Sequence, residues 1–230
     1  MSVAFDVAST SNASAWGSGS TATWTHTCTG TDRVLFVATF NNANGTYPTG
    51  VTYNGTAMTL VDQQATDGGS FYQSLWVLRN PASGANSVVV TWASGAGINN
   101  CIASSYTGAD QTTQPDSFNR GSASSATSIT VSTTTVTDNA WLVGHLRSSN
   151  VTISNGTNGT IRNFGNSIGS QGFADSAGAL TPPGSKSMTL NVSPAQNLWL
   201  IVASIRPVSA GGDFTPTPLM HMRMMAGGMV

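Results

Sequence analysis

Charge is what this sequence lacks most. Only 7% of its 230 residues are Asp, Glu, Lys or Arg, against roughly 25% in an ordinary soluble domain. Glutamate is absent: all nine acidic residues are aspartate, and Lys186 is the only lysine. Glu and Lys ordinarily fill the solvent faces of helices, so their scarcity argues against helical content. A formal net charge of −1 offers no basic field for nucleic acid and no polybasic stretch for a membrane surface. No run of 18 apolar residues occurs, so nothing reads as a membrane-spanning helix. The opening MSVAFDVAST has neither the basic start nor the continuous apolar core of a secretory signal, and the expectation is a protein made without export. Two cysteines, Cys28 and Cys101, allow a single pairing. A reducing compartment would keep them as small buried hydrophobes, and both states stay open.

Catalytic signatures are missing as well. His26, His145 and His221 show no metal-ligand spacing, and neither HExxH nor GxSxG occurs. The aspartates fall mostly in turns such as Thr31-Asp32, Asp67-Gly68 and Thr137-Asp138, where side-chain hydrogen bonding to the local backbone accounts for them. Loop oxygens at Asp62 to Asp67 or Asp110 to Asp116 leave calcium open, without a DxDxDG-like cluster to support it. The expectation is a non-enzyme with no cofactor.

What is present is Gly, Ser, Thr and Asn around a 39% hydrophobic complement. These are turn formers and β-tolerant surface residues, so the composition reads as all-β. The stretch THTCTGTDRVLFVATFN, Thr25 to Asn41, joins a Thr-rich strand through a turn to the apolar run Val34-Leu35-Phe36-Val37-Ala38. About a hundred residues later TVSTTTVTDNAWLVGHLRS, Thr130 to Ser148, repeats that grammar. GANSVVVTWAS is answered by GSKSMTLNVSP, and CIASSY by LWLIVASI. The first half, about 1–109, reads as strands at 2–8, 22–29, 33–40, 51–60, 71–78, 88–92 and 101–106, with Asn54-Gly55 as a hairpin turn. Residues 107–127 read as a polar connector. The second half, about 127–207, reads as strands at 128–136, 140–147, 151–154, 171–174, 187–192 and 198–206, with a loose stretch before Gly169. Asn155-Gly156 and Asn158-Gly159 read as further type I′ turns. Two such halves fit one two-sheet antiparallel jelly roll of Greek keys spanning 1–207; two tandem small sandwiches are the alternative.

From 208 the chain changes character. Residues 208–230 hold five of the eight methionines, preceded by Gly211-Gly212 and Thr215-Pro216-Thr217-Pro218. Proline-rich chain is extended, and Met-rich segments adapt to apolar grooves. The segment therefore reads as a partner-binding arm carried by Phe214, Pro216, Pro218, Leu219, Met220, Met222, Met224 and Met225, against the plainer reading of a frayed terminus. Trp24, Trp76, Trp92, Trp141 and Trp199 lie in apolar strands and read as core. Trp16 and Tyr47 lie in polar loops and are the candidates for stacking on a glycan or a partner.

The ordered motifs WTHTCTGTDRVLFVATFNN, GVTYNGTAMTLV, SLWVLRNPASGANSVVVTW, IASSYTGADQTTQPD and LWLIVASIRP resemble a β-sandwich module recurrent in bacterial surface proteins and bacteriophage structural proteins. The resemblance covers residues 22–206 and carries no catalytic residues. It implies a structural virion protein, a capsid decoration or accessory subunit or a tail or fibre component, placed in the virion. Its partners would be other copies of itself and other virion proteins, with no nucleic acid and no membrane. The alternative is a carbohydrate-binding or adhesive surface module whose partner is a host-surface glycan.

Overall fold

The computed structural model describes residues 2–11, 20–42, 46–93, 99–167 and 169–209. Among these described residues are fifteen strands and one 3₁₀ turn at Asp67–Gly69. The first half supplies β1 (Ala4–Thr10), β2 (Thr21–Cys28), β3 (Val34–Asn42), β4 (Pro48–Tyr53), β5 (Thr56–Ala57), β6 (Thr59–Thr66), β7 (Phe71–Arg79), β8 (Gly84–Trp92) and β9 (Asn99–Thr107). The second half supplies β10 (Phe118–Thr135), β11 (Trp141–Arg147), β12 (Thr152–Ser154), β13 (Thr160–Ser167), β14 (Gly169–Asp175) and β15 (Gly184–Ile205).

The ladders between these strands are antiparallel, and they form three sheets rather than the two expected. One has the order β1-β9-β3-β7-β6 and a second the order β2-β8-β4-β5. The third runs β10-β15-β11-β14-β13, with β12 also paired to β15. Laid side by side, the halves have one topology. β10, β15, β11, β14 and β13 repeat the path of β1, β9, β3, β7 and β6. The far ends of β10 and β15, with β12, repeat β2, β8 and β4. The register agrees residue by residue: Val34 faces Tyr106 as Trp141 faces Ile205, and Leu35 faces Ser105 as Leu142 faces Ser204. A β-bulge lies between Leu60 and Asp62 in β6 and again between Ile161 and Asn163 in β13.

The halves differ in how their two layers connect. In the second half single long strands turn the sandwich corner. β10 breaks register between Ala123 and Ser128, with Ser125 at φ +49°, so one continuous sheet does the work of two. The residues read as a polar connector therefore supply most of a long strand, and only Gly108 to Ser117 links the halves. Ser, Gly, Asn and Ala carry little β signal of their own; pairing with β15 makes this segment a strand. The stretch expected to be loose before Gly169 is β13 for the same reason. The strands expected at 187–192 and 198–206 are one, β15.

Three apolar cores separate four layers of strand. One lies inside the first half, between β2-β8-β4 and the five-stranded sheet, and holds Trp24, Leu35, Val37, Tyr53, Trp76 and Trp92. Its counterpart inside the second half holds Ile129, Leu142, Leu146, Met188, Leu200 and Val202. The middle core belongs to both halves: Val34, Phe36, Leu75, Ile102 and Tyr106 meet Trp141, Val143, Phe173, Ile201 and Ile205. Alternate residues of a strand point to opposite faces, which explains why Val34–Ala38 of β3 and Trp141–Val143 of β11 are apolar on both faces. Trp199 is the exception among the tryptophans expected in the core: it is half-buried, its ring beside the Arg147 guanidinium.

Asn54-Gly55 forms the expected hairpin turn, both residues left-handed at φ +49° and +75°. The Asn155 to Gly159 turn is of another kind. Only Asn158 is left-handed; Gly156 and Gly159 are required because a Cβ there would sit 2.2 and 2.4 Å from the Thr189 carbonyl oxygen. Where the chain crosses between halves, Ala109 bridges Pro207. The amide of Asp110 donates to Arg206 O, and that of Val208 donates to Gly108 O (both 2.9 Å). Gln111 Nε2 donates to Arg33 O, Gln114 Nε2 donates to Arg206 O, and the Arg206 amide donates to Gln114 Oε1. This clasp ties the ends of β9 and β15 together.

Gly108 sits at the clasp with φ +69°, and a Cβ there would lie 2.2 Å from Ser2 O. Gly108→Ala should therefore cost on the order of 2 kcal/mol in urea unfolding, from strain and backbone displacement together. Gly178→Ala, where an added Cβ meets nothing within 4 Å, should be nearly neutral. Equal behaviour of the two variants would show that the clasp tolerates displacement.

Candidate functional site

The polar chemistry of this protein concentrates on the seam between the halves. All three ion pairs among the described residues lie there. Arg120 of β10 reaches Asp62 of β6 at 2.9 Å, and Arg147 of β11 pairs with Asp67; both cross the seam. Arg162 of β13 pairs with Asp175 of β14 at 2.7 Å. Asp175, fully buried, also accepts from Tyr106 Oη of the first half at 3.0 Å, and the Arg162 guanidinium lies 4.3 Å over the Phe5 ring. Burial, then the Asp175 charge, pushes the Tyr106 phenol well above its ordinary value. Arg147 has no solvent exposure; its guanidinium lies 4.0 Å over Phe71 and 5.5 Å from the Phe40 ring centre. Burial lowers its pKa, and Asp67 opposes that shift.

Both described histidines are buried and hydrogen-bonded. His145 Nε2 meets Gln171 Oε1 at 3.0 Å, and burial pushes its pKa down to about 4. His26 Nδ1 meets Ser9 Oγ at 2.8 Å, and Ser9 Oγ accepts from Trp24 Nε1 at 3.0 Å. Ser9, His26 and the nearby Asp6 have the composition of a nucleophilic triad but not its geometry. The Asp6 carboxylate accepts from the Thr29 amide and hydroxyl and from the Ser105 hydroxyl, so it is engaged away from the imidazole it would have to orient. Burial holds His26 near pKa 4, too weak a base at neutral pH. The trio closes the sandwich edge between β1 and β2, as Ser117 and Thr133 (2.8 Å) close the matching edge in the second half.

The aspartates weighed for calcium are engaged by protein donors. Asp62 and Asp67 face arginines, Asp110 Oδ1 accepts from the Thr112 and Thr113 amides, and Asp116 accepts from the Val136 amide. Among the described residues no three His, Cys, Asp or Glu side chains gather to hold a metal. Cys28 and Cys101 are free thiols buried in the first half's core, and burial pushes Cys101 up to about 12.

Of the binding residues expected from sequence, Tyr47 is half-buried with its ring edge-on to Tyr72 at 4.9 Å. Trp16 and the arm residues Phe214, Pro216, Pro218, Leu219, Met220, Met222, Met224 and Met225 lie outside the described residues. A cleft that sequence reasoning missed, of about 580 Å³, opens between the end of β7 and the clasp. Its walls include Thr59, Arg79, Asn80, Gln111, Thr112 and Gln114 over Val77 and Leu78. Only the DQTTQ run hinted at it, and that run is legible as a turn, not as a wall. Comparison with protein-family models, curated proteins and solved structures finds no match.

Because His145 has a folded pKa of about 4 against an ordinary 6.5, the unfolded chain takes up its proton first as pH falls. The stability this contributes is complete above pH 6.5 and is lost progressively down to pH 4. Between pH 7 and 5 the loss should be on the order of 2 kcal/mol from His145, with His26 adding to it. Urea unfolding of His145→Gln at both pH values should show a visibly shallower pH dependence than the parent. An unchanged slope would contradict a neutral buried imidazole.

Proposed function

We propose that this chain is a non-catalytic structural module of a bacteriophage virion, self-associating through its outer sheet faces and docking to neighbours through residues 208–230. One observation carries the reading. The outermost faces of the molecule are hydroxyl ladders without charge: Thr21, Thr23, Thr25 and Thr27 are exposed on β2, and Thr130, Ser132 and Thr134 on β10. Thr130 and Ser132 are already hydrogen-bonded across the strand to Thr189 and Ser187 at 2.8 and 2.9 Å. Such a face presents flat area whose burial desolvates no ionised group, which favours close packing of copies. The resemblance of the ordered motifs to those of bacteriophage structural proteins supports the same reading, as does the Met-rich segment.

A second reading, an adhesive module that binds host-surface glycans, is favoured by the Tyr47–Tyr72 pair. Edge-packed rings leave aromatic surface on which a sugar can stack.

Light scattering on the full chain separates the parts of the first proposal. Thr25→Lys with Ser132→Lys should shift an oligomer to a smaller species, since like charges would face each other across the contact. Removing residues 210–230 should abolish higher assembly while leaving the sandwiches folded. An oligomer unchanged by both alterations would overturn the assembly reading.

A further inference from the structure

We propose that the cleft between β7 and the clasp binds a carboxylate-bearing sugar, with Arg79 as the residue that reads the carboxylate. The inference deepens the adhesive reading, on which it rests, and it is independent of assembly. Its first support is the distribution of positive charge. The arginines at the seam are matched by aspartates, whereas Arg33 and Arg79, on either side of Asn80, have no carboxylate partner among the described residues. Arg33 directs its donors to the carbonyl groups of Pro81 and Gly30 and to Asn80 Oδ1. Arg79 uses Nη1 on the Thr112 carbonyl, a bond that fixes the guanidinium against the cleft wall. Nε and Nη2 remain in a planar fork whose geometry matches a carboxylate.

The second support is the lining. Beside Arg79 the cleft is lined by the polar residues Thr59, Asn80, Gln111, Thr112, Thr113 and Gln114. The Thr112 hydroxyl donates to Asp110 Oδ1 and the Gln111 amide to backbone carbonyls, which leaves Thr59 and Thr113 with hydroxyls not engaged by a protein side chain among the described residues. Hydroxyls and amides both donate and accept, as sugar hydroxyls do. The volume, about 580 Å³, falls within the range of small-molecule sites. No carboxylate is among the residues lining the cleft; Asp110, behind the wall, has its Oδ1 engaged by the Thr112 and Thr113 amides. An acidic peptide would also satisfy the guanidinium, but it would leave the hydroxyl-rich walls unread.

The test uses the full chain on an array carrying uronic-acid and sialic-acid glycans, neutral glycans and acidic peptides. Glucuronic acid and glucose serve as soluble competitors. Acidic glycans should bind, glucuronic acid should compete and glucose should not. Arg79→Ala should weaken binding by about tenfold or more, and Arg79→Lys, which keeps the charge but loses the fork, should fall between. Thr59→Val, close in shape, should weaken binding with unchanged thermal unfolding, which separates loss of contact from loss of fold. Binding of neutral glycans alone, sensitive to Tyr47→Ala, would overturn this site and keep the adhesive reading. Binding of acidic peptides alone would overturn the sugar class. Binding of nothing on the array would overturn both the site and the adhesive reading.

Discussion

The burial of two apolar sheet faces against each other is the interaction on which the remaining structure depends. Each half is a sandwich with its own core, yet the outer face of each larger sheet is as apolar as the inner one. Phe36, Ile102 and Tyr106 on one side, and Trp141, Phe173 and Ile201 on the other, would be an aggregation surface on a free module. The chain solves this by pairing the module with its own repeat. The contact joins equivalent surfaces, as in an isologous dimer: β9 lies against β13 as β15 lies against β6, with the clasp at Ala109 and Pro207 closing one end.

The scarcity of charge takes its meaning from this seam. With so few ionised groups, the described ion pairs are concentrated where the halves meet, and the outer faces are left to threonine and serine. A buried ion pair contributes little net stability, because desolvation offsets most of the attraction. What it does supply is geometry: Arg147 against Asp67, and Tyr106 donating to the buried Asp175, cannot be satisfied in a slipped arrangement of the two sheets. The apolar faces drive the contact, and the charged pairs fix its register. The arginines outside this scheme are then conspicuous, and they gather around the clasp and its cleft.

Much of the fold was legible along the chain. Alternation in Trp24-His26-Cys28, the Asn54-Gly55 turn and the echo of Thr25–Asn41 in Thr130–Ser148 are local signals, and local signals survive without a structure. The candidate site was far less legible. Tyr47 stands out in the sequence because it sits in a polar loop, but Tyr72, which packs on it, is distant in sequence and sits within an ordinary strand. Arg79 and Thr112 meet only because the clasp folds back over the end of β7, and no spacing rule connects them. The trio of Ser9, His26 and Asp6 shows the converse. Its members are close enough to suggest chemistry, and only hydrogen-bond partners reveal that the carboxylate is occupied elsewhere.

By itself the sequence determined the all-β class, the duplication and the apolar strands at the centre of each half, because side-chain alternation and turn chemistry depend on neighbours along the chain. Tertiary structure alone decided that Phe118 to Thr127 is strand, since a Ser/Gly-rich segment adopts the extended form only when β15 offers it a ladder. It alone decided that the doubly apolar faces of β3 and β11 meet each other, because burial on a second face is a relation between surfaces a hundred residues apart. It also decided which charges are matched. The sequence can count arginines and aspartates, but which ones lie within a few ångströms of each other, and which are left over, is settled by packing.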